Sequence, residues 1–536
     1  MEITTGRPVT MAPHGMVTSP HSLASAAGVD VLRAGGSAID AAIATAAVLG
    51  VVYPHMTGLG GDAFWLIHDG ETGKVRYING GGRAGADATI SKLSDMGHDE
   101  IPLKGIVPAT LTTPGAVASW SLAHDDYGRL PMARILESAI GYARNGHPVT
   151  GRLADLTILA EAELAEHPES AGIFLSNGKV PDPGSIQVNE NLARTLESYA
   201  RDGWSGFYEG DVAKEMARFS AEQGGIFTAD DLARQKATWG EPIVGTYRDV
   251  TIYNTPAPTH GFTVLEMLNL LEPLELHKMP LLSAARIHLL VQAKQIAFND
   301  RDQLLGDPDF VDVPIDRLIS KSYAGQRAKL LDPDRALPWD KVPSYGSLSG
   351  DTVYIAAIDR DGNAVSLIQS LYGIYGSAVV AGESGVLLQN RGAYFNLDPA
   401  HPNHLEPGKI PLHTLIASIA MRDNRFWGVL GCMGADGQPQ IQLQCYLAML
   451  DHGLDIQEAV EMPRFVSGRF GLGEARDTLH MEARYPSQTF AELEDRGHVL
   501  DRWANWSELA GHAHGIFVDQ KTGVRLGGCD PRSDGA

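Results

Sequence analysis

The hydrophobic pattern is clearest in a stretch that begins near residue 350. An apolar, β-branched run extends from Thr352 to Ile358, a turn containing Asp361 and Gly362 follows, and a second apolar run covers residues 364–368. Two apolar runs joined by a short turn with Asp-Gly are typical of a β-hairpin. The pattern therefore predicts a hairpin whose first strand begins at Thr352.

Helical patterns dominate much of the remaining chain. Apolar residues at helical spacing after Pro20 predict a helix with proline in its first turn. Ser37 and Asp40 have the spacing of a capping box, which predicts the start of a second helix that continues to Val52. Residues 113–295 alternate helix-like segments with Gly/Pro loops, and this alternation predicts helical layers.

Composition describes a globular protein and narrows its partners. Hydrophobic residues make up 44% and charged residues 20% of the 536 residues, as in chains that bury a large core. The formal net charge of −22 disfavours a nucleic-acid partner, which requires a basic face to neutralise phosphates. We expect no nucleic-acid partner.

The cysteines and the start of the chain indicate a reducing compartment. Three cysteines, Cys432, Cys445 and Cys529, are too few for a disulfide framework in a chain of this size. Residues 1–8 contain no basic stretch followed by an apolar run, so we expect no signal peptide, no membrane span and a cytoplasmic location.

Several separated motifs give the chain a resemblance to a known family. They are residues 35–42 (GGSAIDAA), 58–64 (GLGGDAF), 306–310 (GDPDF), 359–366 (DRDGNAVS), 380–388 (VAGESGVLL) and 530–532 (DPR). In this order they resemble the γ-glutamyltransferase family of N-terminal-nucleophile (Ntn) hydrolases. The resemblance implies an α+β fold, the four-layer αββα sandwich with two β-sheets between helical layers.

The resemblance also implies self-processing. Thr352 matches the family's nucleophile, so the precursor is expected to cut itself between Asp351 and Thr352. Residues 1–351 and 352–536 would then be a large and a small subunit of one folded unit, with a dimer of these as a further option. The loop-like polar run at residues 344–350 is where such a cleavage site would sit exposed.

A freed N-terminal threonine supplies its own base. A hydroxyl is a weak nucleophile until a base takes its proton, and an α-amine with a reference pKa of about 7.7–8.0 is suited to this. By resemblance, Ser370 helps to orient the nucleophile, and the backbone N–H groups of Gly434 and Ala435 stabilise the tetrahedral oxyanion. Ala435 stands where the family has a second glycine, and its methyl group restricts the loop.

The substrate-binding positions depart from those of γ-glutamyl enzymes. Gly81 occupies the position of their carboxylate-binding arginine, and a shift of two positions in the alignment would place Arg83 there instead. His413 and Thr414 replace a serine pair.

Three further replacements concern the substrate's α-amino group. In γ-glutamyl enzymes, two side-chain amides and one carboxylate bind this ammonium group. The residues aligned with them in this sequence are Tyr372, Arg391 and Tyr394, in that order. Because a guanidinium binds a carboxylate and repels a cation, we expect a substrate with a carboxylate and without a free α-amine near it.

These features favour a Thr-dependent amidohydrolase acting on a small acid amide. Oxamate amidohydrolases and glutaryl-type acylases of this superfamily fit the description, and the two tyrosines suggest a compact pocket, which favours oxamate. The alternatives are an authentic γ-glutamyltransferase or glutathione hydrolase and a non-catalytic scaffold. The 19 histidines form no zinc-type spacing, so we expect no metal and no cofactor.

Overall fold

The computed structural model describes residues 6–224, 227–343, 350–469 and 475–536. Of the predicted processing loop, only Gly350 lies within these ranges. The described residues form strands with the following bounds: β1 Thr10–Ala12, β2 Met16–Thr18, β3 Asp62–His68, β4 Val75–Gly80, β5 His147–Pro148, β6 Ile186–Gln187, β7 Thr238–Gly240, β8 Ile243–Tyr247, β9 Val250–Asn254, β10 Asp351–Ile358, β11 Ala364–Tyr372, β12 Ala417–Arg422, β13 Arg425–Cys432, β14 Phe465–Ser467, β15 Leu479–Glu482, β16 Leu500–Trp503, β17 Ala513–Val518 and β18 Arg525–Cys529.

Helices cover both outer faces of the molecule. Their bounds are α1 Ser22–Arg33, α2 Ala38–Val52, α3 Ile90–Asp95, α4 Ala116–Tyr127, α5 Met132–Ile135, α6 Glu137–Asn145, α7 Gly151–Ile158, α8 Glu161–Ala165, α9 Pro168–Phe174, α10 Glu190–Asp202, α11 Trp204–Tyr208, α12 Asp211–Glu222, α13 Ala229–Arg234, α14 Phe262–Leu271, α15 Ala284–Leu304, α16 Ile315–Leu318, α17 Lys321–Arg327, α18 Gln438–His452, α19 Ile456–Glu461 and α20 Ser487–Asp495.

Two large sheets form the centre of the fold. One has six strands in the order β2-β10-β11-β3-β4-β7, and the other has seven in the order β1-β18-β17-β13-β12-β9-β8. All neighbouring strands in these two sheets pair antiparallel. The predicted hairpin is confirmed, because β10 and β11 are adjacent and Ile358 pairs with Ala364 across the turn.

Side-chain alternation along the strands explains the layers. In β10, Val353 and Ile355 pack into an apolar cluster that includes α2, whereas Tyr354 and Ala356 pack into a second cluster between the two sheets. A third apolar cluster joins the outer face of the seven-stranded sheet to α14, α15 and α18. Because successive residues of a strand point to opposite faces, each sheet separates two cores. The predicted αββα arrangement is confirmed.

The segments before and after Thr352 share both sheets. Strand β10 pairs with β2 and β11 pairs with β3, so the hairpin lies between strands from the first part of the chain. In the other sheet, β12 pairs with β9 and β18 pairs with β1. Neither of the two large sheets is built from one segment alone, so we expect the segments to stay associated after any cleavage between them.

Two predictions about local structure are wrong, and one is confirmed. Helix α1 begins at Ser22, with the His21 side chain as its cap, so Pro20 precedes the helix and does not occupy its first turn. Residues 113–295 also contain strands β5 to β9, which the Gly/Pro alternation did not reveal because none of them is longer than five residues. The capping box of Ser37 and Asp40 at the start of α2 is present.

Two features of the described ranges bear on a membrane or a metal as a partner. Their helices include none that combines the length and the apolar content needed to cross a bilayer. In the same ranges, no three His, Cys, Asp or Glu side chains are grouped so that they would hold a metal ion.

Candidate active site

Thr352 lies at the head of β10, against the carbonyl group that precedes it. Its side chain is 1% exposed. The hydroxyl oxygen lies 2.7 Å from the Asp351 carbonyl oxygen and 3.1 Å from the Ser370 hydroxyl. The pairing of β10 with β11 is irregular between Asp351 and Val353, which places Thr352 at the point where the ladder changes register. The hydroxyl is therefore adjacent to the peptide bond at which cleavage is predicted.

Ser370 links the Asp351–Thr352 peptide bond to neighbouring residues through hydrogen bonds. Its hydroxyl donates to the Asp351 carbonyl and accepts a hydrogen bond of 2.7 Å from the Tyr372 backbone N–H. The Arg391 guanidinium donates to the same hydroxyl at 3.4 Å. Ser370 is fully buried and does not face solvent. It polarises the carbonyl next to Thr352 and fixes the direction of that carbonyl.

The turn after β13 lies against the chain just before Thr352. Gly434 has φ +136° and Ala435 has φ +46°, both in the left-handed region that favours glycine. A Cβ atom built on Gly350 would lie 3.0 Å from the Ala435 Cβ. Gly434 also lines a cavity together with Asp351. The structure thus brings the two predicted oxyanion residues next to the cleavage site.

We expect Gly434→Ala to damage this turn. Alanine is strained at this φ, and its Cβ would lie 3.0 Å from the Ile441 Cδ1, so the free energy of unfolding should fall by about 1–3 kcal/mol. A displaced backbone donor should also lower kcat by up to about 100-fold. Denaturant unfolding and steady-state kinetics measure both effects.

Ala435→Gly is the matched control for that substitution. Glycine adopts φ +46° without strain, and its greater freedom in the unfolded chain offsets this gain. The free energy of unfolding should therefore stay within about 1 kcal/mol of that of the unchanged protein. Equal destabilisation by the two substitutions would contradict the assigned backbone roles.

Arg391 is buried beside the nucleophile without an acidic partner in ion-pair contact. Its side chain is 0% exposed, and one guanidinium nitrogen donates to the Thr414 hydroxyl at 3.1 Å. Its guanidinium carbon lies 4.6 Å from the centre of the Tyr372 ring and 5.7 Å from that of Tyr394. Among the described residues, no carboxylate comes within 4.0 Å of it. Four of the predicted substrate-binding residues therefore lie together, namely Arg391, Thr414, Tyr372 and Tyr394.

His413 belongs to the same region through a residue that the sequence analysis missed. Its Nε2 lies 3.2 Å from the Asp62 Oδ2. The other Asp62 oxygen accepts hydrogen bonds from the Gly82 backbone N–H at 2.6 Å and from Gln389 at 2.8 Å. Burial raises the pKa of Asp62 to about 7, although the charge of Arg391 opposes this shift. A carboxyl group at the head of an apolar strand was the available signal for this residue.

Arg83 forms its contacts away from Arg391 and Thr352. Its guanidinium donates to the Gly408 carbonyl at 2.9 Å and pairs with Asp309 at 3.3 Å and Asp307 at 3.8 Å. In the part of the chain that the structure describes, it has no recorded contact with Arg391 or with Thr352. The structure therefore places Arg83 outside the cluster formed by the other candidates.

A buried ion pair holds the turn of Gly434 and Ala435 to helix α15. Asp436 follows Ala435, and its carboxylate lies 2.6 Å from the Arg301 guanidinium, with each side chain 2% exposed. Asp302 pairs with the same guanidinium at 2.6 Å. Sequence reasoning missed Arg301 and Asp302 because nothing local connects them to residue 436, which is distant along the chain.

Two sheets between helical layers, with a buried threonine heading a central strand beside a glycine-containing turn, define an Ntn hydrolase. The sequence profile of the family described as gamma-glutamyltranspeptidase matches residues 24–536. The chain belongs to this family.

Relatives of known name and structure agree with that assignment. The chain is 43% identical over 521 residues to the glutathione hydrolase-like YwrD proenzyme of Bacillus subtilis, covering 97% of each chain. It is 39% identical over 531 residues to the oxamate amidohydrolase proenzyme of Klebsiella pneumoniae, covering 98% of each. The crystal structure of a cephalosporin acylase from Bacillus halodurans superposes with a TM-score of 0.90 at 33% identity, covering 99% of this chain and 97% of that one. The chain is thus an enzyme that acts on C–N bonds, which excludes the non-catalytic scaffold.

Proposed function

We propose that this protein is a self-processing Thr-dependent amidohydrolase that cleaves small amides carrying a carboxylate. The observation that carries the proposal is the buried Arg391, which has no carboxylate in ion-pair contact and is separated from Thr352 by one hydroxyl group, that of Ser370. A buried guanidinium with spare donors is suited to an anionic substrate group.

Self-cleavage would create the active nucleophile. The Thr352 hydroxyl oxygen attacks the Asp351 carbonyl carbon, the Asp351–Thr352 C–N bond breaks, and the nitrogen takes up the hydroxyl proton. Water then hydrolyses the resulting ester, which leaves a carboxylate on Asp351 and a free α-amine on Thr352. The hydroxyl of Thr352 lies 2.7 Å from that carbonyl oxygen, and the Ser370 hydroxyl donates to the same oxygen. This geometry supports residues 1–351 and 352–536 as the two subunits.

Substrate turnover would repeat the same chemistry on an external amide. The Thr352 α-amine takes the hydroxyl proton, the oxygen attacks the substrate carbonyl, and the backbone N–H groups of Gly434 and Ala435 stabilise the oxyanion. The substrate C–N bond breaks, and the proton passes to the leaving amine. Water then hydrolyses the acyl ester and releases the acid. No metal or cofactor takes part in these steps.

The short separation between nucleophile and guanidinium favours a short acyl group. A carboxylate bound by Arg391 would lie near the reacting carbonyl, as in oxamate, where the carboxylate is attached directly to that carbonyl. The relative named as an oxamate amidohydrolase, at 39% identity, supports the same choice. Thr414 and the rings of Tyr372 and Tyr394 would complete the acyl pocket.

A glutathione hydrolase is the second candidate, because the relative at 43% identity is named glutathione hydrolase-like. Such an enzyme must accept a substrate ammonium next to the acyl carboxylate. At the aligned positions Arg391 is a cation, and the hydroxyls of Tyr372 and Tyr394 carry no charge. We therefore rank this candidate below the acid amidohydrolase.

The two candidates differ in the substrates that they turn over. Processed protein is assayed with oxamate, a glutaryl amide and a γ-glutamyl amide at equal concentration, and the release of ammonia or amine is measured. The proposal expects oxamate or the glutaryl amide to react faster than the γ-glutamyl amide. Preference for the γ-glutamyl amide would overturn it in favour of the glutathione hydrolase.

The proposal also predicts a pH effect from Asp62. Its carboxyl group is mostly neutral below a pKa of about 7 and ionises above it. Once ionised, it repels a substrate carboxylate bound at Arg391, so KM for oxamate should rise as the pH increases from about 6 to about 8. In Asp62→Asn the group cannot ionise, and KM should stay level over this range. A parallel rise of KM in both proteins, measured by initial rates, would assign the effect to another group.

A further inference from the structure

An apolar cavity opens beside the cleavage site. Its volume is about 260 Å³, and Gly350, Asp351 and Gly434 are among the residues that line it. Buried apolar side chains, among them Met56 and Leu156, line its walls. For comparison, an apolar cavity of about 150 Å³ is large enough to bind benzene. The cavity therefore has room for a substituent of at least one aromatic ring.

Exposed leucines form the rim of this cavity. Leu103 is 49%, Leu159 is 62% and Leu509 is 51% exposed, and all three line it. Large apolar side chains exposed together around a concave site mark a place where an apolar group binds. The three leucines come from separate parts of the chain, so the fold assembles the rim from distant segments.

Tyr372 borders both this cavity and Arg391, whereas Arg391 does not line the cavity. Tyr372 lines the cavity, and its ring also contacts the Arg391 guanidinium at 4.6 Å. A carbonyl group held between Thr352 and Gly434 has two substituents that point away from each other. If the acyl carboxylate binds Arg391, the substituent on the amide nitrogen points into the cavity.

We propose that this cavity binds an apolar substituent on the amide nitrogen, so that the enzyme's substrates are N-substituted acid amides whose leaving amine carries an aromatic or branched alkyl group. The inference rests on the proposed function and adds the class of leaving group. On cleavage, the C–N bond breaks, the amine takes the proton from the Thr352 hydroxyl, and the neutral amine leaves through the leucine rim.

Charged groups of both signs also line the cavity. The Lys104 ammonium group donates to the backbone carbonyls of Ile374 and Gly376, the latter at 2.9 Å, and the carboxyl groups of Asp351 and Glu508 belong to the same lining. These groups set no preference for one sign of charge, and the apolar walls favour an uncharged substituent.

The test compares oxamate with N-benzyloxamate. Both have the same acyl group, and ammonia and benzylamine have similar basicity, so the ratio of their kcat/KM values reports the contribution of the benzyl group. We expect the processed protein to favour N-benzyloxamate by at least about tenfold, as for a buried apolar group of this size. In Leu159→Ser/Leu509→Ser the ratio should fall at least about fivefold. In Leu330→Ser, an exposed leucine outside the cavity, the ratio should not change.

A binding measurement keeps this proposal separate from the proposed function. N-benzylacetamide has no carboxylate, so its binding does not depend on Arg391. Saturable binding of N-benzylacetamide, measured by ligand-observed NMR, that weakens in the double variant supports the cavity assignment. This holds even if the protein hydrolyses neither oxamate nor N-benzyloxamate. That absence of hydrolysis would overturn the proposed function alone. Equal binding to both proteins, or a kcat/KM ratio near one, would overturn the cavity assignment.

Discussion

Thr352→Ala yields one uncleaved chain without amidohydrolase activity. The substitution removes the oxygen that attacks the Asp351 carbonyl and, in the same atom, the nucleophile of turnover. Activity should fall by at least about 10⁴-fold, in the range measured when other hydrolases lose their nucleophile. Intact-mass spectrometry after denaturation shows whether the chain is cut, and a sensitive amine-release assay gives the residual rate.

Thr352→Ser is the matched control for this prediction. Serine keeps the hydroxyl group and loses only a methyl group from a buried position, so the chain should still be cut and should retain measurable turnover. Cleavage of Thr352→Ala between residues 351 and 352 would contradict the assigned nucleophile. An uncut but active Thr352→Ala protein would contradict the link between processing and catalysis.

Arg391→Lys lowers kcat/KM for oxamate by about 100-fold. Lysine keeps the charge but cannot offer the planar pair of donors that a carboxylate accepts, and a lost charged hydrogen bond in a buried site costs about 1.5–3 kcal/mol. The cost falls on substrate binding, so KM should rise more than kcat falls. Intact-mass measurement first confirms that the variant is cut. Steady-state kinetics on the processed variant then give the separate changes in KM and kcat.

The second candidate arginine provides the comparison. Arg83 pairs with Asp307 and Asp309, and its side chain is 33% exposed. Arg83→Lys should change kcat/KM for oxamate less than Arg391→Lys does. A larger loss for Arg83→Lys would assign carboxylate recognition to Arg83 and remove the basis for placing it at Arg391.

The central hairpin was predictable because its determinants are local. Alternating apolar residues and an Asp-Gly turn define β10 and β11, and the capping box of α2 is likewise a contact between residues three positions apart. The layered fold followed from the family resemblance, since periodicity does not specify which strands are neighbours. Strands β5 to β9 were missed because none of them is longer than five residues.

The surroundings of Arg391 were only partly predictable. The sequence indicated a guanidinium in place of ammonium acceptors, but its burial and its freedom from ion pairs depend on packing between distant segments. Asp62 is 351 positions away from His413, and no local pattern joins them. The three leucines at the rim of the cavity likewise come from separate parts of the chain. Such sites require the folded arrangement of the chain.

The N-terminal residue of the smaller chain tests the central claim most directly. Purified protein is denatured, its chains are separated, and each is sequenced from its N-terminus and weighed by mass spectrometry. The account predicts two chains, the smaller beginning with Thr352 and the larger ending at Asp351. An active protein that stays in one piece, or a smaller chain that begins at any other residue, would contradict Thr352 as a nucleophile freed by self-cleavage.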